Sequence, residues 1–326
     1  MDNLLGFWGK LPKHFRVLAP MEEVTDRVFR DLIAQLGAPD VWFTEFIGAG
    51  NLVRGEREAL RRTRFTKTHV PIVAQIWGID PTAYFKAAGI LVEMGFDGID
   101  INMGCPQAKI TKKGACSALI LNPGLAAELI QATKEGISQV SPKPIPVSVK
   151  TRIGFNQVQT EQWCGFLLDQ SLAALTVHGR IASQMSEGQA DWEQIALVAN
   201  MAKDRQLPTK IIGNGDLVTA DQLESYPHGY GVHGTMVGRG IFTNPYIFGG
   251  GDFTQESPRG KVELALDHLA RYKAEYKNSR NYQIMKKFFN IYLRDFYGAH
   301  ELRDSIMNTD TYEQAEELLA GFLTTG

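Results

Sequence analysis

Residues 71–102 read PIVAQIWGIDPTAYFKAAGILVEMGFDGIDIN. Two short apolar runs, 71–76 and 98–102, flank a segment, 81–94, whose length and apolar spacing fit a helix. That segment starts on Asp80-Pro81, a side chain able to cap free N–H groups followed by a proline at the first helical position, where no N–H is needed. Strand, helix and strand of this kind make a parallel crossover unit. The unit repeats in both directions along the chain. Further strand candidates lie at 16–19, 41–45, 146–150, 173–178, 210–214 and 232–238. Helical segments follow at 26–36, 52–61, 123–137, 158–170, 192–202 and 220–225, with a short turn from Asn244; the segment at 123 repeats the cap-proline start as Asn122-Pro123. Eight such alternations predict an α/β fold of the (β/α)8 or TIM-barrel type, because parallel strands need crossovers and a closed barrel leaves no edge to protect. An open doubly wound sheet is the alternative.

From Gly249-Gly250-Gly251 to Gly260 the chain turns polar and glycine-rich, which reads as a linker. Segments 262–277, 282–296 and 311–322 then look like amphipathic helices with no strand among them. The expected organisation is an N-terminal extension over 1–13, a barrel over 14–250 and a small C-terminal all-helical domain over 255–326. The 326 residues carry 36 acidic and 34 basic side chains, a net charge of -2, so bulk electrostatics gives no reason to expect a nucleic acid or a membrane. With 44% hydrophobic and 21% charged residues the chain is not disordered. Cys105, Cys116 and Cys164 are an odd, sparse set with no Cys-x-x-Cys metal pattern, and no run approaches roughly 18 apolar residues. The expectation is a cytoplasmic monomer without a metal or a membrane segment.

In a barrel the catalytic groups stand at the carboxyl ends of the strands. There the sequence places Pro20-Met21-Glu22, Thr44-Glu45, Gln75, Asn102 with Gly104-Cys105-Pro106, Lys150-Thr151-Arg152, His178-Gly179-Arg180, Asn214-Gly215-Asp216 and Gly238-Arg239-Gly240. One amide or cation ending a strand is ordinarily structural, and Lys150 could be only a salt-bridge partner of Glu45; their shared rim is what points to a site. The glycine turns after the seventh and eighth strands are where barrels hold a phosphate on backbone N–H groups, with Arg239 able to add charge. Gln75 and Asn102 are neutral groups suited to the edge of a planar heterocycle, while Lys150, Arg152, His178 and Arg180 could stabilise an anionic ring or position a base. No cluster of histidines or carboxylates offers a metal shell. Cys105 opens a long loop that holds Lys109, Lys112, Lys113 and Cys116, a length more typical of function than of filler. Cys164, between Trp163 and Phe166, reads as a small buried hydrophobe.

These residues resemble the tRNA-dihydrouridine synthases. The run from Leu18 to Arg30, with Ala19-Pro20-Met21-Glu22 at its start, is similar to that family's opening motif, and Thr44-Glu45-Phe46 to its second. Asp100-Ile101-Asn102-Met103-Gly104-Cys105-Pro106 with Lys109, Lys113-Gly114 and Ala118-Leu119 looks like its signature loop. Ser148-Val149-Lys150-Thr151-Arg152, Thr176-Val177-His178-Gly179-Arg180, Ala190-Asp191-Trp192, Asn214-Gly215-Asp216 and Gly238-Arg239-Gly240 follow in the family's order. The resemblance implies an FMN enzyme that reduces uridine in tRNA to 5,6-dihydrouridine with NADPH as electron source. By the same resemblance Pro20 and Met21 lie against the flavin ring with Gln75, Lys150 and His178 around it, and Asn214, Gly215, Asp216, Gly238 and Arg239 are at its phosphate end. Asn102, Lys109, Arg152 and Arg180 are on the substrate side. Cys105 gives a proton to uracil C5 as hydride passes from flavin N5 to C6, a role open to a thiol of ordinary pKa at pH 7. Three positions depart from the family: Glu23 stands where glycine is usual, segment 181–186 lacks the usual tyrosine, and Cys116 stands where glycine is common.

For RNA, Arg271, Lys273, Lys277, Arg280, Lys286, Lys287 and Arg294 face a single acid, Glu275, within one short stretch, with Tyr272, Tyr276 and Tyr282 interleaved. Such a patch could track phosphates and stack on bases, or be a solvated helix face. A base held in folded tRNA must also leave its stack to reach a barrel mouth. Two rivals remain: a flavin barrel acting on a free small molecule, which needs no basic helical domain, and a non-enzymatic RNA-binding protein that retains the barrel.

Overall fold

The computed structural model describes residues 2–142, 144–277 and 279–325, so the expected outer bounds at 1 and 326 lie outside it. Among these residues nine parallel strands form one sheet: β1 Phe15–Leu18, β2 Trp42–Phe43, β3 Ile47–Gly48, β4 Ile72–Trp77, β5 Gly98–Met103, β6 Val147–Arg152, β7 Ala174–His178, β8 Lys210–Asn214 and β9 Gly234–Val237. The order is β1-β9-β8-β7-β6-β5-β4-β2 with β3 also on β4. Val17 bridges Val41, and the Leu18 N–H donates to the Val41 carbonyl at 3.2 Å, which closes the ring between β1 and β2. The fold is the expected TIM barrel, with its second stave in two pieces. Thr44 Oγ1 donates to its neighbour's carbonyl on Glu45 at 2.7 Å and the ladder lapses there, resuming where Ile47 pairs with Ile76.

Alternation of side chains along each strand sorts the barrel by height. Val17, Phe43, Val73, Ala174, Ile212 and Met236 make an apolar floor, sealed at the amino-terminal end by Phe15 and by Trp8 from the turn Gly6–Lys10, so the N-terminal extension is a packed plug. Two residues above Val73 comes Gln75, in register with Asp100, which is in register with Ser148; one level higher, Asn102 pairs with Lys150 and His178 with Asn214. Polar groups from separate strands therefore share one end. The outward residues of the same strands, Ile72, Ile76, Ile99, Ile101, Val149 and Val177 among them, are buried beneath the crossover helices, each stabilising the fold by roughly 1.5–3 kcal/mol. Helix Pro81–Glu93 starts with Asp80 accepting the Thr82 N–H at 2.9 Å, and Pro123–Val140 with Asn122 accepting the Leu125 N–H at 3.2 Å, as the cap-proline pairs imply.

Three expectations change. The helix at 52–61 is two, Ala49–Val53 and Arg57–Arg62, broken at Gly55 in the left-handed region (φ 69°). The stretch expected as a linker is mostly exposed but anchored: Phe253 is buried, and Asn244 Oδ1 accepts the N–H groups of Tyr246 and Phe253 at 3.1 and 3.2 Å. The C-terminal helices are Pro258–Tyr276, Lys286–Tyr292, Ala299–Met307 and Tyr312–Thr325. Ala299–Met307 escapes sequence reading because it buries only Ala299, Leu302 and Ile306, and its N-cap, Gly298, makes no side-chain cap hydrogen bond. These helices pack on the barrel helix Arg27–Leu36, Phe288 against Phe29 at 5.5 Å between ring centroids, and Arg280 Nη1 donating to Asp26 Oδ2 at 2.8 Å.

Candidate active site

A cavity of about 640 Å³ opens at the carboxyl ends of the strands, with Pro20, Met21, Lys150, His178, Asn214 and Arg239 in its wall. Lys150 Nζ donates to Asn214 Oδ1 at 2.9 Å, and Asn214 Nδ2 donates to the Met236 carbonyl at 2.7 Å. Glu45 is not its partner: Arg61 takes that carboxylate at 2.8 Å. Burial, helped by the charge of Arg152, pulls Lys150 down to about 8. His178 Nε2 lies 3.0 Å from Arg180 Nη1; a guanidinium only donates, so Nε2 is the acceptor and the ring proton is on Nδ1. Burial first, then the charges of Lys150, Arg152, Arg180 and Arg239, hold this imidazole well below its usual pKa and therefore neutral.

The two glycine turns lock together at one end of the cavity. Gly215 has φ 134°, and a Cβ there would lie 2.4 Å from that of Ala190; a Cβ on Gly240 would lie 1.8 Å from the Leu217 carbonyl oxygen. Trp192 Nε1 fixes the first turn by donating to the Gly215 carbonyl at 3.0 Å. Arg239 is exposed, its contact a long 3.4 Å approach to the Ser186 carbonyl, so its guanidinium is available to an anion. Asp216 is placed differently from its neighbours in the motif. Its carboxylate accepts from Arg180 Nη2 and from the Ala190 N–H, each at 2.7 Å, so it is engaged as a clamp instead of free toward a phosphate. Arg180 spends its remaining donors on the Glu187 and Gly188 carbonyls. Arg152 likewise donates to the Gly104 and Ile181 carbonyls at 2.8 and 3.0 Å. Both arginines are in the cavity wall, where they contribute charge while their hydrogen bonds hold loops.

Gln75 and Asn102 are buried and stand behind the cavity wall. They form a chain: Asp100 accepts from Ser148 Oγ at 2.7 Å and from Gln75 Nε2 at 2.8 Å, Gln75 Oε1 accepts from Asn102 Nδ2 at 2.9 Å, and Asn102 Oδ1 accepts the N–H groups of Gly104 and Cys105 at 3.1 and 3.0 Å. Asp100 was not among the candidates of the sequence; its place two residues before Asn102 on one strand face is the signal that could have found it. Burial raises Asp100 to about 6. The chain carries Cys105, whose thiol packs against Cys116; a hydrogen bond from Cys116, then one from the Gln107 N–H and the charge of Arg152, outweigh burial and bring it to about 7. The following residues, Pro106 and Gln107, run along the cavity rim, and Lys109, Lys112 and Lys113 are exposed beyond them with no ion pair among the described residues. Glu23 and Cys116 both have positive φ, 56° and 55°, a backbone that glycine adopts without strain.

The family model described as Dihydrouridine synthase (Dus) matches residues 17–325. The chain belongs to the dihydrouridine synthase family. Relatives include "Probable tRNA-dihydrouridine synthase 2" of Bacillus subtilis strain 168, 40% identical over 320 residues that span 97% of this chain and 96% of that one. "Probable tRNA-dihydrouridine synthase" of Staphylococcus aureus strain COL is 38% identical over 325 residues, 97% and 95% of the two chains. Among solved structures, a 2-naphthoyl-CoA reductase complex superposes with a TM-score of 0.53 at 9% identity over 72% of this chain and 49% of the other. A histamine dehydrogenase from Rhizobium sp. 4-9 gives 0.53 at 9% over 78% and 48%. The chain thus spans about half of those enzymes, a likeness of fold alone. Among the described residues no helix is long and apolar enough to cross a membrane, and no group of three or more His, Cys, Asp or Glu could hold a metal.

In this member of the family most cations of the basic stretch expected to face RNA are paired with groups of the protein itself. Tyr272, Tyr276 and Tyr282 are buried and cannot stack on bases. Lys273 pairs with Glu313 and Glu316, Lys277 with Glu313, Arg271 with Asp267, and Arg280 with Asp26, while Lys286 donates to the Met307 carbonyl at 2.8 Å. Lys287, 3.5 Å from Glu23, is the loosest of them. The four-residue spacing of Tyr272 and Tyr276 marks a buried helix face, and the acids that answer the lysines lie on the last helix, far away in sequence.

Proposed function

We propose that this chain is a flavin-dependent oxidoreductase that reduces the C5–C6 double bond of uridines in tRNA to 5,6-dihydrouridine. The observation that carries the reading is one cavity bounded by a neutral His178 beside Lys150, two locked glycine turns with an available Arg239, and the Cys105 loop. These residues fit FMN. Backbone N–H groups of the Gly215 and Gly238 turns with Arg239 suit its phosphate, Lys150 its polar ring edge, and Pro20 and Met21 its flat apolar face, while Asn214, expected at the phosphate end, holds Lys150 in place. When bound and reduced, with NADPH as the donor, it supplies the hydride that uracil accepts at C6.

The chain's own part is to hold, charge and protonate. Cys105, suspended from Asn102, keeps a proton for C5. Lys150, Arg152 and Arg180 bring preorganised positive charge to the wall facing the ring on which negative charge develops. Residues 14–250 are read as the FMN-binding domain, since the cavity lies at the barrel's mouth, and 255–326 as the domain that holds tRNA. The exposed Lys109, Lys112 and Lys113 beside Cys105 are the better-supported phosphate contacts, since most basic groups of 271–287 have protein partners. The test is to reduce the FMN-reconstituted protein anaerobically with NADPH and add tRNA lacking dihydrouridine. Reoxidation that leaves dihydrouridine in the tRNA is expected. Flavin that ignores tRNA would select a small-molecule reductase instead, and failure to bind FMN would overturn the cofactor reading.

A further inference from the structure

Cys116 takes no part in the proposed reduction, yet it is set against the thiol that does. It is buried with Ile110 and Ala115, and Cys105 and Trp77 pack onto that cluster. Cys105 packs on the cluster that holds Cys116, and the Ser117 N–H donates to the Cys105 carbonyl at 3.3 Å, so the backbone holds the two positions together. Cys116 keeps its side chain at φ 55°, a left-handed conformation that disfavours any residue with a Cβ. Cys105 is partly exposed, whereas Cys116 is wholly buried, so a reagent from solvent meets Cys105 first. Cys164 is also buried, in helix Thr160–Leu168.

We propose that Cys105 and Cys116 are an oxidative modification site, at which peroxide joins the two thiols in a disulfide that a thiol reductant reopens. The Cys105 thiolate attacks one peroxide oxygen; the O–O bond breaks, hydroxide leaves, and Cys105 becomes a sulfenic acid. The Cys116 sulfur then attacks the Cys105 sulfur; the S–S bond forms, the S–O bond breaks and water leaves. The two thiols together give up two protons and two electrons, and with them one hydrogen peroxide becomes two waters. Cys116 acts as the resolving thiol, which intercepts the sulfenic acid before further peroxide carries it to the irreversible sulfinic acid. With Cys105 at about 7, roughly half of it is thiolate at neutral pH and able to react. The consequence for turnover rests on the reading of Cys105 as the proton donor; formation of the bond does not.

The experiment treats the full-length protein with hydrogen peroxide, alkylates the free thiols and digests with trypsin. Lys109, Lys112 and Lys113 lie between the two cysteines, so cleavage separates 87–109 from 114–134 unless the disulfide links them. The expected product is that linked pair, lighter by two hydrogens than its parts and released by dithiothreitol, with Cys164 still alkylated. The variant Cys116→Gly, which suits the left-handed backbone, is expected to yield Cys105 sulfinic acid that dithiothreitol does not recover. Wild-type protein with Cys105 as sulfinic acid and Cys116 still alkylated would overturn the proposal, as would both thiols surviving treatment. A linked pair that leaves tRNA reduction undiminished would keep the modification site and overturn the proton-donor role instead.

Discussion

The side-chain oxygen of Asn102 accepts the backbone N–H of Cys105 at 3.0 Å, while its nitrogen donates to Gln75 at 2.9 Å. The thiol loop is thus hung from an amide whose orientation is set, through Gln75, by the buried carboxylate of Asp100. Replacing Asn102 by Ala removes the anchor of the thiol loop but deletes no contact of Pro20, Met21, His178 or Arg239 in the cavity wall. tRNA reduction is expected to fall on the order of 10²-fold, the effect of a misplaced reacting group, while reduction of the flavin by NADPH changes little. Rapid-mixing measurements of the two half-reactions check this; equal losses in both would mean that the cavity itself had been disturbed.

Cys105 must be protonated to act as an acid, and its thiol sits at about 7, with the Cys116 hydrogen bond the leading cause. As pH rises through that value the donor is lost, so the single-turnover rate of tRNA reduction, measured with pre-reduced flavin, should fall tenfold per pH unit above about 7. Cys116→Gly deletes the leading cause of the depression and should move the break upward, toward the roughly 8.5 of a free thiol. A break that stays in place in the variant would assign the profile to another group, of which Lys150, at about 8, is the first to examine.

The strands and the rim were legible because each strand carries its own alternation and its own polar end, information local to a few residues. Partnerships across strands were not. That Arg180 grips Asp216, or that Asp100 orients Gln75, depends on which residue of one strand stands level with which residue of the next, and no local pattern states that register. The basic stretch 271–287 hides its partners for the same reason. Read alone it is a run of cations, but Asp26, Glu313 and Glu316, which take three of those side chains, lie on other elements of the fold.

Arg239 is the cation of the cavity whose guanidinium is left to a ligand, its nearest acceptor lying at 3.4 Å. Arg239→Ala should therefore weaken FMN by about 1.5–3 kcal/mol, the usual worth of a hydrogen bond to a charged group, and leave riboflavin unaffected. Quenching titrations with the two flavins separate the outcomes. Equal weakening of both would place Arg239 at the ring instead of the phosphate.

Arg280 and Asp26 join the helical domain to the barrel as a buried ion pair, with side chains 4% and 1% exposed. Asp26 also caps helix Arg27–Leu36 by accepting the Phe29 N–H at 3.0 Å. Burial, reinforced by the charge of Glu45, raises its pKa to about 6 although Arg280 opposes the rise. A carboxyl raised in the folded state contributes stability that is complete below its unfolded pKa of about 3.9 and is lost as pH climbs through about 6. Arg280→Met strips the opposing charge, so the folded pKa climbs further and the loss deepens at neutral and alkaline pH. Urea unfolding should show the variant destabilised by about 3–5 kcal/mol near pH 8, the usual effect of orphaning a buried charge, and by much less near pH 5, where Asp26 is protonated. Adding Asp26→Asn should recover much of the loss near pH 8. A deficit of the same size at both pH values would assign the role of Arg280 to its packing over the Tyr272 and Tyr276 rings, 5.5 and 5.2 Å from their centroids, instead of to its charge.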